Sequence, residues 1–442
     1  MPTDPDILSL NAFDPAGDAP ADPVTAALLA RRQANLGPVS VLFYEEPLHI
    51  VRAEGVWLEA KDGRRYLDVY NNVASVGHCH PRVVAAIAEQ AATLNVHTRY
   101  LNEPTETYVE RLKATLPPEL STVALTCSGS EANDLALRLA RKATGRQGVV
   151  VTAAAYHGNT AAVSEISPSA FRQGGPPAHI RMVPAPDARH YGADLAGGFA
   201  ADIERAIGEL DAAGFGCAAF IADSIFSSDG VHADPADFLR AAAAVVRTAG
   251  GLYIADEVQP GFARTGDAFW GFARHGITPD IVTMGKPMGN GFPVAGLAAR
   301  PEVMAPYFAE FGYFNTFGGN PVAAAAGLAV LDVIADQALQ QNAAATGGYL
   351  REKLERLRAG HPSIAAVRGA GLFLGVALCR ASDPEVPDPS AARRVINGLR
   401  RRGVLVGACG RYGETLKIRP PLTFTPDHAD QLVAALEETL AG

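Results

Sequence analysis

The amino-acid sequence predicts an α/β fold: a large domain with a mostly parallel β-sheet flanked by helices, and a smaller α+β domain. Two observations support this prediction. In the middle of the chain, short apolar runs alternate with segments of helical periodicity. Towards both ends, the pattern is that of short strands and charged helices. Strands that alternate with helices favour a parallel sheet covered on both faces, and we expect the two ends to form the smaller domain together.

The chain divides into four segments along its length. Residues 1–23 are rich in Asp, Pro and Ala, which is typical of a flexible N-terminal arm. Residues 24–70 are expected to form the N-terminal part of the small domain, with a short antiparallel element that turns at Asp62–Gly63. Residues 71–335 should form the large domain, and residues 336–442 the C-terminal part of the small domain.

The large domain contains several buried-strand candidates, each a short apolar run. They are residues 123–126, 148–152, 218–223, 252–256 and 281–284. Helices are expected from Ser130 onwards, over 235–248 and from Pro321. Ligands bind at the carboxyl ends of such strands, and the polar motifs of this chain follow those ends.

The C-terminal segment mixes strand and helix signals. The expected elements are a charged helix at 349–359, a strand at 372–378, a helix at 391–402, a strand at 404–406 and a last helix at 426–440.

Composition excludes several classes of protein. The 442 residues carry a formal net charge of −9 and no run of five basic residues, which argues against nucleic-acid binding. No apolar run reaches the roughly 18 residues of a membrane span. The five cysteines are scattered without a Cys-x-x-Cys pair, so neither a disulfide framework nor a zinc site is expected. The N-terminus lacks a signal-peptide pattern, and we expect a cytoplasmic protein without a metal.

The segment TCSGSEAN places a turn between a strand and a helix. Exposed amides of Gly129 and Ser130 at a helix N-terminus would bind an anion, with the hydroxyls of Ser128 and Ser130 as further donors. The alternative is a simple helix cap, with Glu131 in the first turn.

The segment IADEVQPGFARTG ends an apolar strand on two adjacent carboxylates, Asp256 and Glu257. A buried carboxylate needs a cation or several hydrogen-bond donors. The alternative is a carboxylate that caps a loop. No histidine stands nearby at metal-ligand spacing.

Lys286 follows another apolar strand and is flanked by Gly285 and Pro287. Desolvation on such a constrained turn would lower its pKa and make the amine a nucleophile. A solvated surface lysine is the alternative. The segment is not a phosphate-binding P-loop, because Pro287 stands where Ser or Thr is required.

These motifs occur in a fixed order: TCSGSEAN, then YHG at 156–158, DEVQ-x-GF-x-RTG, the glycine-flanked lysine and TFGGNP at 316–321. Lys286 follows Asp256 by 30 residues. Over residues 41–440, this series resembles the class III aminotransferases. The resemblance implies the pyridoxal phosphate (PLP) enzyme architecture called fold type I, with residues 71–335 as the PLP-binding domain.

The resemblance also implies roles for individual residues. Lys286 would form the Schiff base with PLP, and Asp256 would pair with the pyridine nitrogen. Tyr156 and Val258 would pack on the two ring faces, and Gln259 would lie near the ring hydroxyl. The other expected cofactor contacts are Ser128, Gly129 and Ser130 around the phosphate, and His157.

Two further residues extend the site. Thr316 resembles a residue that reaches the phosphate in the neighbouring subunit, which implies a homodimer. Arg419, in LKIRPPL, resembles the arginine that takes a substrate carboxylate. Phe43 and Tyr44 are candidate pocket residues from the N-terminal segment.

The resemblance leaves two reactions open. One is amino-group transfer between an amino acid or amine and a 2-oxo acid. The other is elimination of phosphate from an amino-alcohol phosphate such as phosphoethanolamine, because YNNVASVGHCHP and TRYL resemble phospho-lyases of the same family. Arg419 suits a carboxylate or a phosphate.

The segment ADSIFSSDG departs from the family's Glu-Pro-x-Gln-Gly pattern, with Asp223–Ser224 for Glu-Pro and Phe226 for Gln. A DNA-reading regulator is not supported, because the segment before Val41 is too short and too acidic.

Overall fold

The computed structural model describes residues 11–14, 22–171 and 173–441. Its strands are β1 (Ile50–Glu54), β2 (Trp57–Ala60), β3 (Arg65–Asp68), β4 (Thr122–Thr126), β5 (Gly148–Thr152), β6 (Ile180–Val183), β7 (Cys217–Asp223), β8 (Leu252–Asp256), β9 (Ile281–Met284), β10 (Ala295–Ala299), β11 (Ile364–Ala370), β12 (Phe373–Arg380), β13 (Asp383–Pro387), β14 (Val404–Leu405), β15 (Gly407–Cys409) and β16 (Thr415–Ile418).

The helices complete the chain order. They are α1 (Pro23–Leu36), α2 (Pro81–Thr93), α3 (Glu103–Lys113), α4 (Gly129–Thr144), α5 (Ala161–Ser164), α6 (Ala188–Tyr191), α7 (Leu195–Ala212), α8 (Leu239–Thr248), α9 (Pro301–Phe308), α10 (Pro321–Asp336), α11 (Leu339–Gly360), α12 (Pro389–Arg401) and α13 (Pro426–Ala441).

The large domain is built on a seven-stranded sheet in the order β4-β10-β9-β8-β7-β5-β6. The pairs from β9 to β6 are all parallel, and β10 runs antiparallel to both of its neighbours. The predicted α/β class with a mostly parallel sheet is therefore confirmed.

Both faces of this sheet are buried, which explains why its strands are apolar throughout. Along β7 and β8, Phe220 and Tyr253 join the core that includes α7 and α8. The alternate residues Ile221 and Ile254 join the core that includes α4. Side chains on a strand point alternately to the two faces, so each strand contributes to both cores. The carboxyl ends of the strands lie at one edge of the sheet, between the two cores.

Segments from both ends of the chain meet in the small domain. In the sheet β1-β2-β3-β14, Val404 and Leu405 pair in parallel register with Leu67 and Asp68. A second sheet has the order β11-β12-β16-β15, with β13 on β12. The expectation that the N- and C-terminal segments build one smaller α+β unit agrees with this pairing.

Most of the predicted N-terminal arm lies outside the described residues. The part that the structure describes is ordered against the small domain: the amide of Phe13 donates to the carbonyl of Leu42, and the amide of Tyr44 to the carbonyl of Asn11, both at 2.8 Å. Within the described part of the chain, no single helix is long and apolar enough to span a membrane; α10 and α11 pass that test only as a pair bent by 60°.

Of the two adjacent carboxylates that end β8, Glu257 is a structural group. Its carboxylate accepts hydrogen bonds from the hydroxyl of Ser224 at 2.5 Å and from the amides of Gly271 and Phe272 at 2.7 Å. Burial raises the pKa of Glu257 to about 7. The loop-capping alternative therefore describes Glu257, and it leaves Asp256 free for another role.

Replacing Glu257 with Gln should lower the free energy of unfolding by about 1–3 kcal/mol, because the NH2 group of Gln would face donors from which the carboxylate now accepts hydrogen bonds. The folded-state pKa lies above the ordinary 4.5, so the folded protein binds the extra proton between these values and loses stability as pH rises through them. We expect the penalty of E257Q to be larger at the acid end of this range. Denaturant unfolding across pH measures it. The exposed Glu204 on α7 provides the control E204Q, and an equal effect of both variants would contradict the assignment.

Candidate active site

A cavity of about 290 Å³ opens at the carboxyl ends of β4, β8 and β9. It collects residues that lie far apart in sequence. Of the predicted cofactor contacts, those that line it are Ser128, Gly129, Ser130, Tyr156, His157, Asp256, Val258, Gln259 and Lys286. The described part of the chain holds no group of three His, Cys, Asp or Glu side chains suited to a metal ion.

Lys286 lies in this cavity rather than on the outer surface. Burial, followed by the positive charge of Arg419, lowers the pKa of its ammonium to about 8, while Asp256 and Asp223 act in the opposite direction. Among the described residues, its amine has no hydrogen-bond or ion-pair partner. A substantial neutral fraction near physiological pH leaves the amine available as a nucleophile or base.

Asp256 is held by three donors from different parts of the large domain. Its Oδ2 accepts from Asn133 Nδ2 at 2.9 Å and lies 2.7 Å from His157 Nδ1, and its Oδ1 accepts from the amide of Val258 at 3.0 Å. Because a carboxylate only accepts, the proton of His157 is assigned to Nδ1. Thr283 Oγ1 in turn donates to Asn133 Oδ1 at 2.6 Å. These contacts fix both the position and the direction of the carboxylate.

Asn133 is a member of this site that the sequence analysis missed. It lies on α4, is fully buried, and also donates to the carbonyl of His157 at 2.8 Å. A polar amide on the apolar face of a helix, inside the motif SGSEAN, was the available signal.

The N-terminus of α4 has both the helix cap and the free amides that TCSGSEAN predicts as alternatives. Ser128 Oγ accepts from the amide of Glu131 at 3.2 Å, and the Glu131 carboxylate accepts from the amide of Ser128 at 3.2 Å, so a capping box is present. The amides of Gly129 and Ser130 have no acceptor within the described residues. They border the cavity, where an anion would meet unpaired donors and the positive end of the helix dipole.

Two glycines leave space for a ligand beside the N-terminus of α4. A Cβ on Gly129 would lie 2.8 Å from Val258 Cγ2, and one on Gly158, whose φ is +139°, would lie 2.4 Å from Ser130 Oγ. Any larger residue at either position would displace the side chains that border the cavity.

Arg419 approaches from the small domain, just after β16. Its Nη1 donates to Gln259 Oε1, and its guanidinium lies 4.4 Å from the ring centroid of Tyr70. Phe43 packs edge-on against that same ring, with centroids 5.7 Å apart. Tyr44 is buried and does not border the cavity; its hydroxyl donates to the carbonyl of Val406 at 3.4 Å.

The departure in ADSIFSSDG has a structural explanation. Phe226 is buried in the core, with its ring centroid 5.7 Å from that of Phe199, so it offers nothing to the cavity. Ser224 donates to Glu257. The Asp223 carboxylate accepts from the amide of Ile225 at 2.9 Å and from the amide and hydroxyl of Ser227.

Thr316 is the one predicted cofactor residue outside both the cavity and its walls. It is exposed in the loop between α9 and α10, and Phe314 of this loop lies 5.7 Å from the ring of His97, which brings the exposed segment with Tyr100 and Leu101 close to the loop. Leu101 is 94% exposed, Phe317 71% and Tyr100 62%. Exposed apolar groups of this size are typical of an interaction surface.

The chain is similar to known proteins over nearly its whole length. The family model for aminotransferase class III matches residues 43–440. An alanine–glyoxylate aminotransferase 2-like protein of Drosophila melanogaster is 42% identical, over 92% of this chain and 86% of the relative. An ethanolamine-phosphate phospho-lyase homolog 1 of Caenorhabditis elegans is 38% identical over 93% of each chain.

A solved structure shows the same fold with high identity. A phospholyase from Arthrobacter in complex with phosphoethanolamine superposes with a TM-score of 0.90 and 43% identity, over 94% of this chain and 99% of that one. Fold, site and family model agree, and the chain belongs to the class III aminotransferases, a family of PLP-dependent enzymes.

Proposed function

We propose that Lys286 is the lysine that binds PLP and that the enzyme moves an amino group between an amino compound and a 2-oxo acid. The observation that carries this proposal is the pairing, in one cavity, of an unpartnered lysine amine of lowered pKa with a carboxylate fixed by three donors.

The residues around the cavity fit the parts of PLP. The unpaired amides of Gly129 and Ser130 suit its phosphate. Asp256 suits its ring nitrogen, because an adjacent carboxylate favours the protonated, positively charged ring. Val258 and Tyr156 offer surfaces for the ring faces. When bound, PLP supplies an electron sink for negative charge at the substrate Cα.

The chain itself supplies binding and proton movement. The neutral amine of Lys286 would take the proton from the substrate Cα and return it at the aldehyde carbon of the cofactor. This role requires that the pKa of the amine lie close to the working pH. Arg419 orients the acidic end of the substrate through its planar guanidinium. Gln259, held by Arg419, links the substrate side of the cavity to the cofactor side.

Phosphate elimination is the second candidate reaction. It would use the same amine and carboxylate to remove the Cα proton, after which the β-carbon–oxygen bond breaks and phosphate leaves. The similarity to the Arthrobacter phospholyase supports this candidate, as does a guanidinium that suits phosphate and carboxylate alike.

We also propose a homodimer in which Thr316 reaches the partner's cofactor phosphate. The exposed apolar side chains of Leu101, Phe317 and Tyr100 beside Thr316 support an interface at this surface. A cytoplasmic location is likewise a proposal, supported by five free cysteines; cell fractionation tests it.

Borohydride reduction of the PLP-loaded protein, followed by peptide mass mapping, should place a phosphopyridoxyl group on Lys286, because its amine combines burial with a lowered pKa. The variant K286A should lose both the label and the yellow colour. The exposed Lys113 provides the control K113A, which should keep both. A label on another lysine in the unaltered protein would refute the assignment.

Two parallel incubations separate the candidate reactions. If the enzyme is an aminotransferase, alanine should convert bound PLP to its pyridoxamine form, seen as a change in visible absorbance, and phosphoethanolamine should release no phosphate. Phosphate release without that conversion in the alanine sample would overturn amino-group transfer in favour of elimination.

The double variant L101D/F317D should shift the protein from dimer to monomer in sedimentation velocity, because two charges would be buried in an apolar interface. Met182, on the edge strand β6 at the opposite side of the sheet, provides the control M182D. If the double variant sediments like the unaltered protein and M182D, the interface lies elsewhere.

A further inference from the structure

A second buried lysine lies beside the cavity and has no part in the amine chemistry above. Lys417 stands on β16, two residues before Arg419, and is only 5% exposed. Arg419 lies just past the end of this strand, and both side chains are within electrostatic reach of the Lys286 amine.

The ammonium of Lys417 is uncompensated. Among the described residues it has no hydrogen-bond acceptor and no carboxylate within ion-pair distance; it lies 5.6 Å from the centroid of the Phe373 ring. The charged and titratable groups that face it are Arg419, Lys286, Asp223 and the Cys409 thiol. Burial, followed by the charge of Arg419, lowers the pKa of Lys417 to about 7.

Asp223 is the only carboxylate among those groups, and it is already occupied. It accepts from two backbone amides, those of Ile225 and Ser227, and from the Ser227 hydroxyl. Arg419 is similarly underused, because its buried Nε has no partner in the described part of the chain. Two cations within electrostatic reach of each other therefore have hydrogen-bond donors without a partner among the described residues.

Such an arrangement is costly for folding alone. A buried charge without a partner destabilises a protein, and an apolar side chain would pack on Phe373 without that cost. A lone guanidinium already suffices to bind one carboxylate. The additional ammonium is explained if the group that enters carries more than one negative charge.

We infer that Lys417 and Arg419 together bind the oxyanion of the substrate, and that Lys417 makes this subsite selective for a doubly charged, phosphate-type group over a singly charged acid. The inference rests on the proposed function, since it places this group at the far end of an amino compound held at Lys286. An arriving dianion also stabilises the charged form of Lys417.

Three small acids of similar size test the selectivity: ethylphosphonate, ethanesulfonate and propionate. They carry no amino group, so they leave the bond between Lys286 and the cofactor intact. Titration calorimetry on the PLP-loaded enzyme, slightly above neutral pH, should show ethylphosphonate binding at least about 10-fold more tightly than the other two, because the second charge interacts with Lys417. Equal affinities in the unaltered enzyme overturn the inference.

Variants assign the preference to Lys417. K417M, which keeps the length of the side chain, should lose the preference for the phosphonate, and K417R should retain it; K113M should behave like the unaltered enzyme. A preference that survives in K417M overturns the inference. The label on Lys286 and the visible absorbance of bound PLP report the proposed function separately. If K417M does not fold, the comparison of the three acids on the unaltered enzyme still decides.

Discussion

The carboxylate of Asp256 is the constraint on which the rest of the site depends. It ends β8 in the middle of the large sheet, and its three donors come from α4, from the segment after β5 and from its own loop. An ionised carboxylate in a buried place persists only when its acceptor positions are satisfied. The same contacts therefore fix the positions of α4, His157 and β9 around the Asp256 carboxylate. The α4 amides and Lys286 are thereby placed relative to each other.

Positive charge is the second organising feature. Lys286, Lys417 and Arg419 lie within electrostatic reach of one another, while Asp256 and Asp223 provide the opposing charge. Burial and the positive charge of Arg419 lower the pKa values of both lysines. In the proposed reaction an entering anion would raise the pKa of the Lys286 ammonium, so substrate recognition and the charge state of this amine would be coupled through the same groups.

Much of the fold could be predicted because local pattern and final environment agree. The predicted strands at 148–152, 252–256 and 281–284 coincide with β5, β8 and β9, since each is an apolar run followed by a turn. Strand β10 was missed: its sequence AGLAA has small residues of low strand propensity, and only its pairing with β4 and β9 makes it a strand. The helix predicted over 235–248 begins at Leu239, because residues 235–238 enter it as an irregular turn.

The site shows the same division. Lys286 and Asp256 were recognisable from their flanking residues and order, but the separate tasks of Asp256 and Glu257 were not, because neighbouring residues on a strand face opposite sides and sequence does not show which side is the pocket. Asn133 and Lys417 required knowledge of burial. Phe226 could be named as a departure, while its place in the core followed only from the packing of Phe199 against it.

The parallel pairing of β3 with β14 has a consequence for biosynthesis. Leu67 pairs with Val404, which emerges from the ribosome more than three hundred residues later. The first sheet of the small unit therefore stays incomplete through most of translation, whereas the seven strands of the large sheet, all between Thr122 and Ala299, can associate earlier. Nascent chains should thus pass through a stage in which the large sheet and Lys286 are in place but Lys417 and Arg419 have yet to be synthesised.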